Sequence, residues 1–289
     1  MGTTIKKISQ SCLFKEIPLV AGLSGIDNRV DYVTICNSPI LSLPNYDLDD
    51  YVLVITSFSV YYKSIDKMKA MIIVLSKQHG KSWPLPNNKV IAEFHQYGDF
   101  VWDCIQAMGL KNVMTAGCSM AGCIQYYIAQ NYPVKAVCCM QGVEDTAGQT
   151  DTRITDMLWH PLVSCQHSHL ELTESLIGEK TSQERLDFIY WGVMQETGIT
   201  KQGDYLELLS FDVKDNMNKI TCPVLIIEGM DDQSYTPYMT KLSKERLVNA
   251  EYVELDLIPG YGHFIAVESP ESVYKYLNEF IDKHVLKVI

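Results

Sequence analysis

The sequence contains no long apolar run and no basic patch. No stretch approaches the roughly eighteen consecutive apolar residues of a membrane-spanning helix, so we expect no membrane segment. The chain has 24 Lys and Arg against 35 Asp and Glu, which gives a net charge of −11. This acidic balance, without basic residues interleaved with aromatics, disfavours nucleic acid and anionic membranes as partners.

Signals for secretion and for metal binding are also scarce. Lys6 and Lys7 are not followed by an uninterrupted apolar core, so the N-terminus lacks the pattern of a signal peptide. The nine cysteines are an odd number, which favours reduced core thiols in a cytoplasmic protein over a disulfide framework. Residues 165–169 (CQHSH) contain metal-ligand residue types, but no second cluster with zinc spacing accompanies them. We therefore expect a cytoplasmic protein with neither a metal ion nor an organic cofactor.

What the sequence does contain is a series of short apolar runs separated by helical patterns. Runs at 51–55, 71–75, 134–140 and 223–227 are typical of parallel strands buried on both faces. Other expected elements are a strand or hairpin at 25–36, a strand at 252–255, and helices at 64–69, 88–108 (broken or frayed near Gly98) and 270–287. Strands that alternate with helices predict an α/β fold, with a mostly parallel central sheet flanked by helices.

One long segment departs from this alternation. Residues 143–219 are polar, contain His and Trp, and lack apolar strand runs. We interpret them as a helical cap, or lid, inserted into a core formed by residues 1–142 and 220–289.

The stretch around Ser119 has the pattern of a nucleophile elbow. A short strand-like run ends at Gly117-Cys118-Ser119-Met120-Ala121-Gly122, and a helical pattern begins at once. A strand, a tight turn and a helix with Ser at the apex would expose the hydroxyl beside a helix N-terminus. Small residues are needed two positions on either side, and Gly117 and Ala121 supply them. The same pattern also fits a serine that merely caps an ordinary helix.

Candidate partners for this serine occur far downstream. A nucleophilic serine needs a base, and the base needs an orienting acid. Asp231 and Asp232 follow the strand-like run at 223–227, and His263 follows the run at 252–255. These residues lie in loops after parallel strands, so they are expected at the same end of the sheet as Ser119.

The chain resembles the α/β-hydrolase fold superfamily, in its serine hydrolase branch, over nearly all its length from about residue 25. The matching segments are GCSMAG, PVLIIEGMDD, IPGYGHF with the trailing ESPE, and SKQHGKS. The resemblance implies Ser119 as nucleophile, His263 as base and Asp232 as acid, in the chain order of the superfamily. Asp232 is favoured over Asp231 because relatives place the acid three residues after the glycine.

The resemblance also implies an oxyanion hole formed by the backbone N–H groups of Met120 and Phe58. Relatives usually have His-Gly after the first buried strand, whereas this chain has Thr56-Ser57-Phe58. The missing glycine leaves the geometry of the Phe58 donor open. Residues expected to line the substrate pocket are Ser57, Trp159, Trp191 and Phe264.

Other sequence features leave alternatives open. Glu144 and Asp145, after the strand that follows the elbow helix, are a second possible location for the acid. Cys118 stands where many relatives have histidine, and we expect it to pack rather than react.

The leading hypothesis is a serine hydrolase that cleaves a small apolar ester, lactone or thioester through an acyl-enzyme, with a small molecule as its substrate. Carbon–carbon bond hydrolysis or lyase chemistry on the same three residues is an alternative. A non-catalytic ligand receptor with the same fold is another.

Overall fold

The computed structural model describes residues 93–107, 110–147, 164–194 and 198–286, together with residues 160 and 162. Before residue 93 it describes the backbone of five strands. The predicted helix at 64–69 lies outside the described residues.

The described part of the chain contains one sheet of nine strands. These are β1 (Lys6–Lys7), β2 (Phe14–Glu16), β3 (Tyr32–Ile35), β4 (Tyr51–Ser57), β5 (Ala70–Leu75), β6 (Asn112–Cys118), β7 (Ala136–Met140), β8 (Val224–Gly229) and β9 (Val253–Ile258). Their spatial order is β1-β2-β3-β5-β4-β6-β7-β8-β9. All pairs from β5 to β9 are parallel, whereas β1, β2 and β3 pair antiparallel at one edge. The predicted mostly parallel α/β sheet is confirmed.

Helices connect the strands. They are α1 (His95–Ala107), α2 (Met120–Asn131), α3 (Cys165–Glu174), α4 (Gln183–Met194), α5 (Gly198–Leu208), α6 (Pro237–Arg246), α7 (Ile265–Glu268) and α8 (Pro270–Phe280). A 3₁₀ helix covers Lys214–Lys219, and a π-helical turn covers Ile281–Val285. None of the helices in the described residues is long and apolar enough to cross a membrane.

The strands in the middle of the sheet are buried on both faces, which explains their continuous apolar sequences. In β8, Val224 and Ile226 pack into a core with α1 and α2, while Leu225 and Ile227 pack on the opposite face against α8. Every residue of β7 and of β8 is buried.

Two helix predictions need correction. The predicted break or fraying near Gly98 is wrong, because α1 runs through this residue to Ala107, and the helix begins at His95 rather than at residue 88. Gly98 instead allows close helix packing, since a Cβ there would lie 2.6 Å from Cδ1 of Tyr127 on α2. The closing α-helix, predicted to reach residue 287, ends at Phe280 and continues as the π-helical turn.

The order of the strands creates a crevice. After β4, the chain places β5 on one side of it and β6 on the other. Such a switch point, at the carboxyl ends of the strands, is where open α/β sheets bind ligands. Ser119 directly follows β6, so it lies at this point.

Candidate active site

Ser119 lies at a strained turn between β6 and α2. Its φ of 59° and ψ of −126° place a residue with a Cβ in a sparsely populated region. The neighbouring glycines make the turn possible. A Cβ on Gly117 would lie 2.3 Å from the Ala121 carbonyl oxygen, and one on Gly122 would lie 2.4 Å from the Met140 carbonyl oxygen. The small residues are therefore required by close backbone approach.

The Ser119 hydroxyl does not cap the helix that follows it. As the N-cap residue of α2 it makes no side-chain capping hydrogen bond. Its Oγ instead lies 2.6 Å from Nε2 of His263. This contact spans 144 residues of sequence, so the sheet, and not local chain geometry, creates it.

His263 in turn contacts Asp232. His263 Nδ1 lies 2.7 Å from Asp232 Oδ2, and both residues are almost fully buried. The other carboxylate oxygen, Oδ1, accepts hydrogen bonds from the N–H groups of Ser234 at 2.7 Å and Tyr235 at 3.2 Å. These two donors fix the orientation of the carboxylate in the loop after β8.

The electrostatics of His263 reflect a competition between burial and charge. Burial lowers the pKa of the imidazole, but the charge of Asp232 and its hydrogen bond act in the opposite direction, with a further contribution from Glu268. The net effect raises the pKa of His263 above its usual value of 6.5. A raised pKa makes the imidazole a stronger proton acceptor for the hydroxyl beside it.

The other acids considered from the sequence are engaged elsewhere. Asp231 Oδ2 accepts a hydrogen bond from the N–H of Glu179 at 3.1 Å. Glu144 is paired with Ser243 and Arg246. Asp145 forms an ion pair with Lys214 at 2.7 Å. The contact with His263 is made by Asp232.

Sequence similarity to known proteins covers only part of the chain. No family model matches the chain. Proline iminopeptidase from Lactobacillus helveticus is 31% identical over 77 residues, covering 27% of this chain. That match spans 25% of the relative's length.

Solved structures match over much more of the chain. An esterase from Thermogutta terrifontis superposes with a TM-score of 0.74 at 15% identity, covering 93% of this chain and 98% of that chain. An enol-lactonase from Burkholderia xenovorans LB400 superposes with a TM-score of 0.69 at 14% identity, covering 88% and 96%. The chain has the α/β-hydrolase fold.

The other predicted site residues differ in where they lie in this α/β-hydrolase fold. Met120 is the first residue of α2, so its N–H has no acceptor within the helix. Phe264 packs edge-on against His263, with ring centroids 5.4 Å apart. Ser57 ends β4, the strand beside β6. Trp191 is 58% exposed and stacks on Phe188. Phe58 and Trp159 lie outside the described residues.

Two other features considered from the sequence are the Cys118 thiol and the possible metal ligands in residues 165–169. The Cys118 thiol donates to Gln141 Oε1 at 3.3 Å, and burial raises its pKa far above the ordinary range. A thiol that stays protonated packs and does not attack, because the thiolate is the nucleophile. His167 lies 3.3 Å from Glu171 on α3. Among the described residues, no group of three His, Cys, Asp or Glu side chains could hold a metal ion.

Sequence reasoning missed two residues that contact the loop carrying His263. Gln141 follows β7 with a left-handed φ of 41°, and its side chain reaches both Gly262 and Ile265. Glu268 accepts hydrogen bonds from the N–H groups of Gly262 and Phe264. Glu268 belongs to the ESPE segment that carried the family resemblance, whereas no local signal distinguishes Gln141.

Proposed function

We propose that the protein is a serine hydrolase that cleaves a small ester, lactone or thioester with an apolar acyl part. The observation that carries this proposal is the 2.6 Å contact between Ser119 Oγ and His263 Nε2 at the strained turn. A buried imidazole with a raised pKa, backed by a carboxylate, is the arrangement that activates a hydroxyl. We infer a cytoplasmic enzyme with a small-molecule substrate.

The mechanism follows from these contacts. Ser119 Oγ attacks the substrate carbonyl carbon while His263 Nε2 takes the hydroxyl proton. Asp232 holds the proton on Nδ1 and stabilises the imidazolium. His263 then gives its proton to the leaving oxygen or sulfur, and the acyl group remains on Ser119. His263 next takes a proton from a water molecule, whose oxygen attacks the acyl carbon. The imidazolium then returns this proton to Ser119 Oγ as the bond between Oγ and the acyl carbon breaks, which releases the carboxylic acid and restores the serine.

The oxyanion would form beside the N-terminus of α2. The Met120 N–H is one of the free donors there, and the partial positive charge of the helix end favours the developing negative charge. We propose Phe58 N–H as the second donor, because Phe58 directly follows Ser57, the last residue of β4, and β4 pairs with β6. No metal or organic cofactor takes part in these steps.

The structural neighbours support the reaction class. They include an esterase, an enol-lactonase and Est816, an N-acyl homoserine lactone degrading enzyme that superposes with a TM-score of 0.70. We propose that residues 143–219 form a cap over the site, with Trp159 and Trp191 in contact with the acyl part. Ser57 and Phe264 would line the pocket nearer the nucleophile.

Two measurements on Ser119 test the proposal. A fluorophosphonate probe should label the wild-type protein, and peptide mass mapping should place the label on Ser119. Ser119→Ala should fold normally, lose labelling, and keep only the weak turnover that binding and the oxyanion site supply. Wild-type turnover by a folded Ser119→Ala variant would refute the assignment of the nucleophile.

A further inference from the structure

Residues 262–265, here called the His263 loop, lead from the turn after β9 into the first residue of α7, and the side chains of Gln141 and Glu268 bind their peptide groups. The Gly262 N–H donates to Glu268 Oε2 at 2.9 Å, and the Gly262 carbonyl accepts from Gln141 Nε2. The Phe264 N–H donates to Glu268 Oε1 at 2.7 Å, and the Ile265 N–H donates to Gln141 Oε1 at 3.1 Å. One amide and one carboxylate therefore secure the loop on both sides of His263.

Glu268 also connects this loop to residues 176–181, between α3 and α4. Its Oε2 accepts from the N–H of Gly178 at 2.8 Å and from Thr181 Oγ1 at 2.5 Å. The two segments are in direct backbone contact, because the N–H of His263 donates to the Leu176 carbonyl at 2.8 Å. A Cβ on Gly178 would lie 2.3 Å from Cα of Tyr261. This part of the segment 143–219 is thus packed firmly on the His263 loop.

The two side chains are chemically matched to their tasks. Gln141 must donate to a carbonyl and accept from an N–H, which an amide can do and a carboxylate cannot. Glu268 must accept from donors on both of its oxygens, which a carboxylate can do and an amide cannot. Both residues are almost fully buried, so a mismatched bond cannot be replaced by bulk water.

Such precision matters because His263 must serve two partners at once. Its two nitrogens lie 2.6 Å from Ser119 Oγ and 2.7 Å from Asp232 Oδ2, and these partners follow different strands. A catalytic group displaced by about 1 Å can lose on the order of 10²-fold in rate. We propose that Gln141 and Glu268 are positioning residues that hold the His263 imidazole between Ser119 and Asp232. The proposal rests on the proposed function, because the His263 imidazole needs this placement to act as the base for Ser119.

Reciprocal substitutions test it with almost no change in shape. Gln141→Glu removes the NH₂ group that donates to the Gly262 carbonyl. Glu268→Gln replaces a carboxylate oxygen that accepts from an N–H group with an NH₂ group, which can only donate. We expect each to lower kcat by about 10- to 100-fold with KM nearly unchanged. The low-field proton resonance of the His263 Nδ1–H, which reports the contact with Asp232, should weaken or broaden in both variants.

Matched controls make the same chemical changes elsewhere. Gln130→Glu removes an amide donor to the Val213 carbonyl at 3.0 Å, and Glu271→Gln replaces one of the two carboxylate oxygens that accept from Arg185 Nη2 at 2.9 Å. Both controls should keep kcat and the resonance close to wild type, even if they lower the melting temperature. Folded Gln141→Glu and Glu268→Gln variants that behave like these controls would overturn the proposal.

A milder variant covers the case in which the buried swaps do not fold. Thr181→Val removes one donor to Glu268 while keeping the shape of the side chain. It should lower kcat and weaken the resonance to a smaller extent, and unchanged values for both would overturn the proposal. The resonance does not depend on turnover, so it still tests positioning if Ser119→Ala shows that the proposed hydrolase function is wrong.

Discussion

Replacing Asp232 by asparagine is the sharpest test of the proposed chemistry, because the structure dictates how the amide would orient. The two backbone N–H groups of Ser234 and Tyr235 require an acceptor, so the asparagine oxygen should stay on them. The NH₂ group must then face His263 Nδ1, which can only accept from it. The imidazole is forced into the tautomer with its proton on Nε2, facing Ser119.

The cost can be estimated from this geometry. A histidine protonated on Nε2 cannot take the Ser119 proton, although the imidazole stays in place. Loss of the correct tautomer in a serine triad costs about 10⁴-fold in kcat, or roughly 5 kcal/mol of transition-state stabilisation. The flipped amide would avoid this, but it would set its NH₂ against two N–H donors in a buried loop.

The assay is kcat/KM on a chromogenic ester, at a pH where His263 is neutral. Asp231→Asn is the matched control, because Asp231 accepts from the Glu179 N–H and the contact with His263 is made by Asp232. We expect the control to lose far less activity, with circular dichroism showing that both variants fold. Near-wild-type activity of Asp232→Asn, or a larger loss in the Asp231 variant, would refute the reasoning.

Three further predictions concern stability and specificity. Glu228 is fully buried, and burial, followed by the charge of Asp232, raises its pKa well above 4.5. Glu228→Gln should therefore raise the free energy of unfolding relative to wild type. This gain should be absent below pH 4.5 and should grow by about 1.4 kcal/mol per pH unit until the folded-state pKa is reached. Urea unfolding at several pH values would detect it, and a gain independent of pH would contradict the prediction. Gly122→Ala should destabilise by about 1–3 kcal/mol, because its Cβ would meet the Met140 carbonyl oxygen, and an unchanged urea midpoint would argue against the tight turn. Trp191→Ala should change the free energy of unfolding by less than about 0.5 kcal/mol because the ring is exposed. It should alter the relative kcat/KM across acyl chain lengths, and an unchanged profile would contradict contact between Trp191 and the substrate.

Much of the fold could be predicted because the signals that specify it are local. Continuous apolar runs such as those of β7 and β8 occur where strands are buried on both faces, and both strands are wholly buried. The error at Gly98 has the opposite origin. Glycine weakens an isolated helix, but here it allows the Tyr127 ring to pack closely against α1.

The sequence by itself determined which residues could carry the chemistry. A small-residue turn around Ser119 must be tight, and an acid and a histidine after later strands must come to the same end of a parallel sheet. Only the tertiary structure decided which of two adjacent aspartates faces His263, because consecutive residues of a loop point in different directions. It also brings Gln141 and Glu268 against the His263 loop, which is the basis of the positioning role proposed for them. Gln141 bonds to Gly262 from 121 residues away, and such a contact exists only after the sheet has brought β7 beside β8 and the His263 loop.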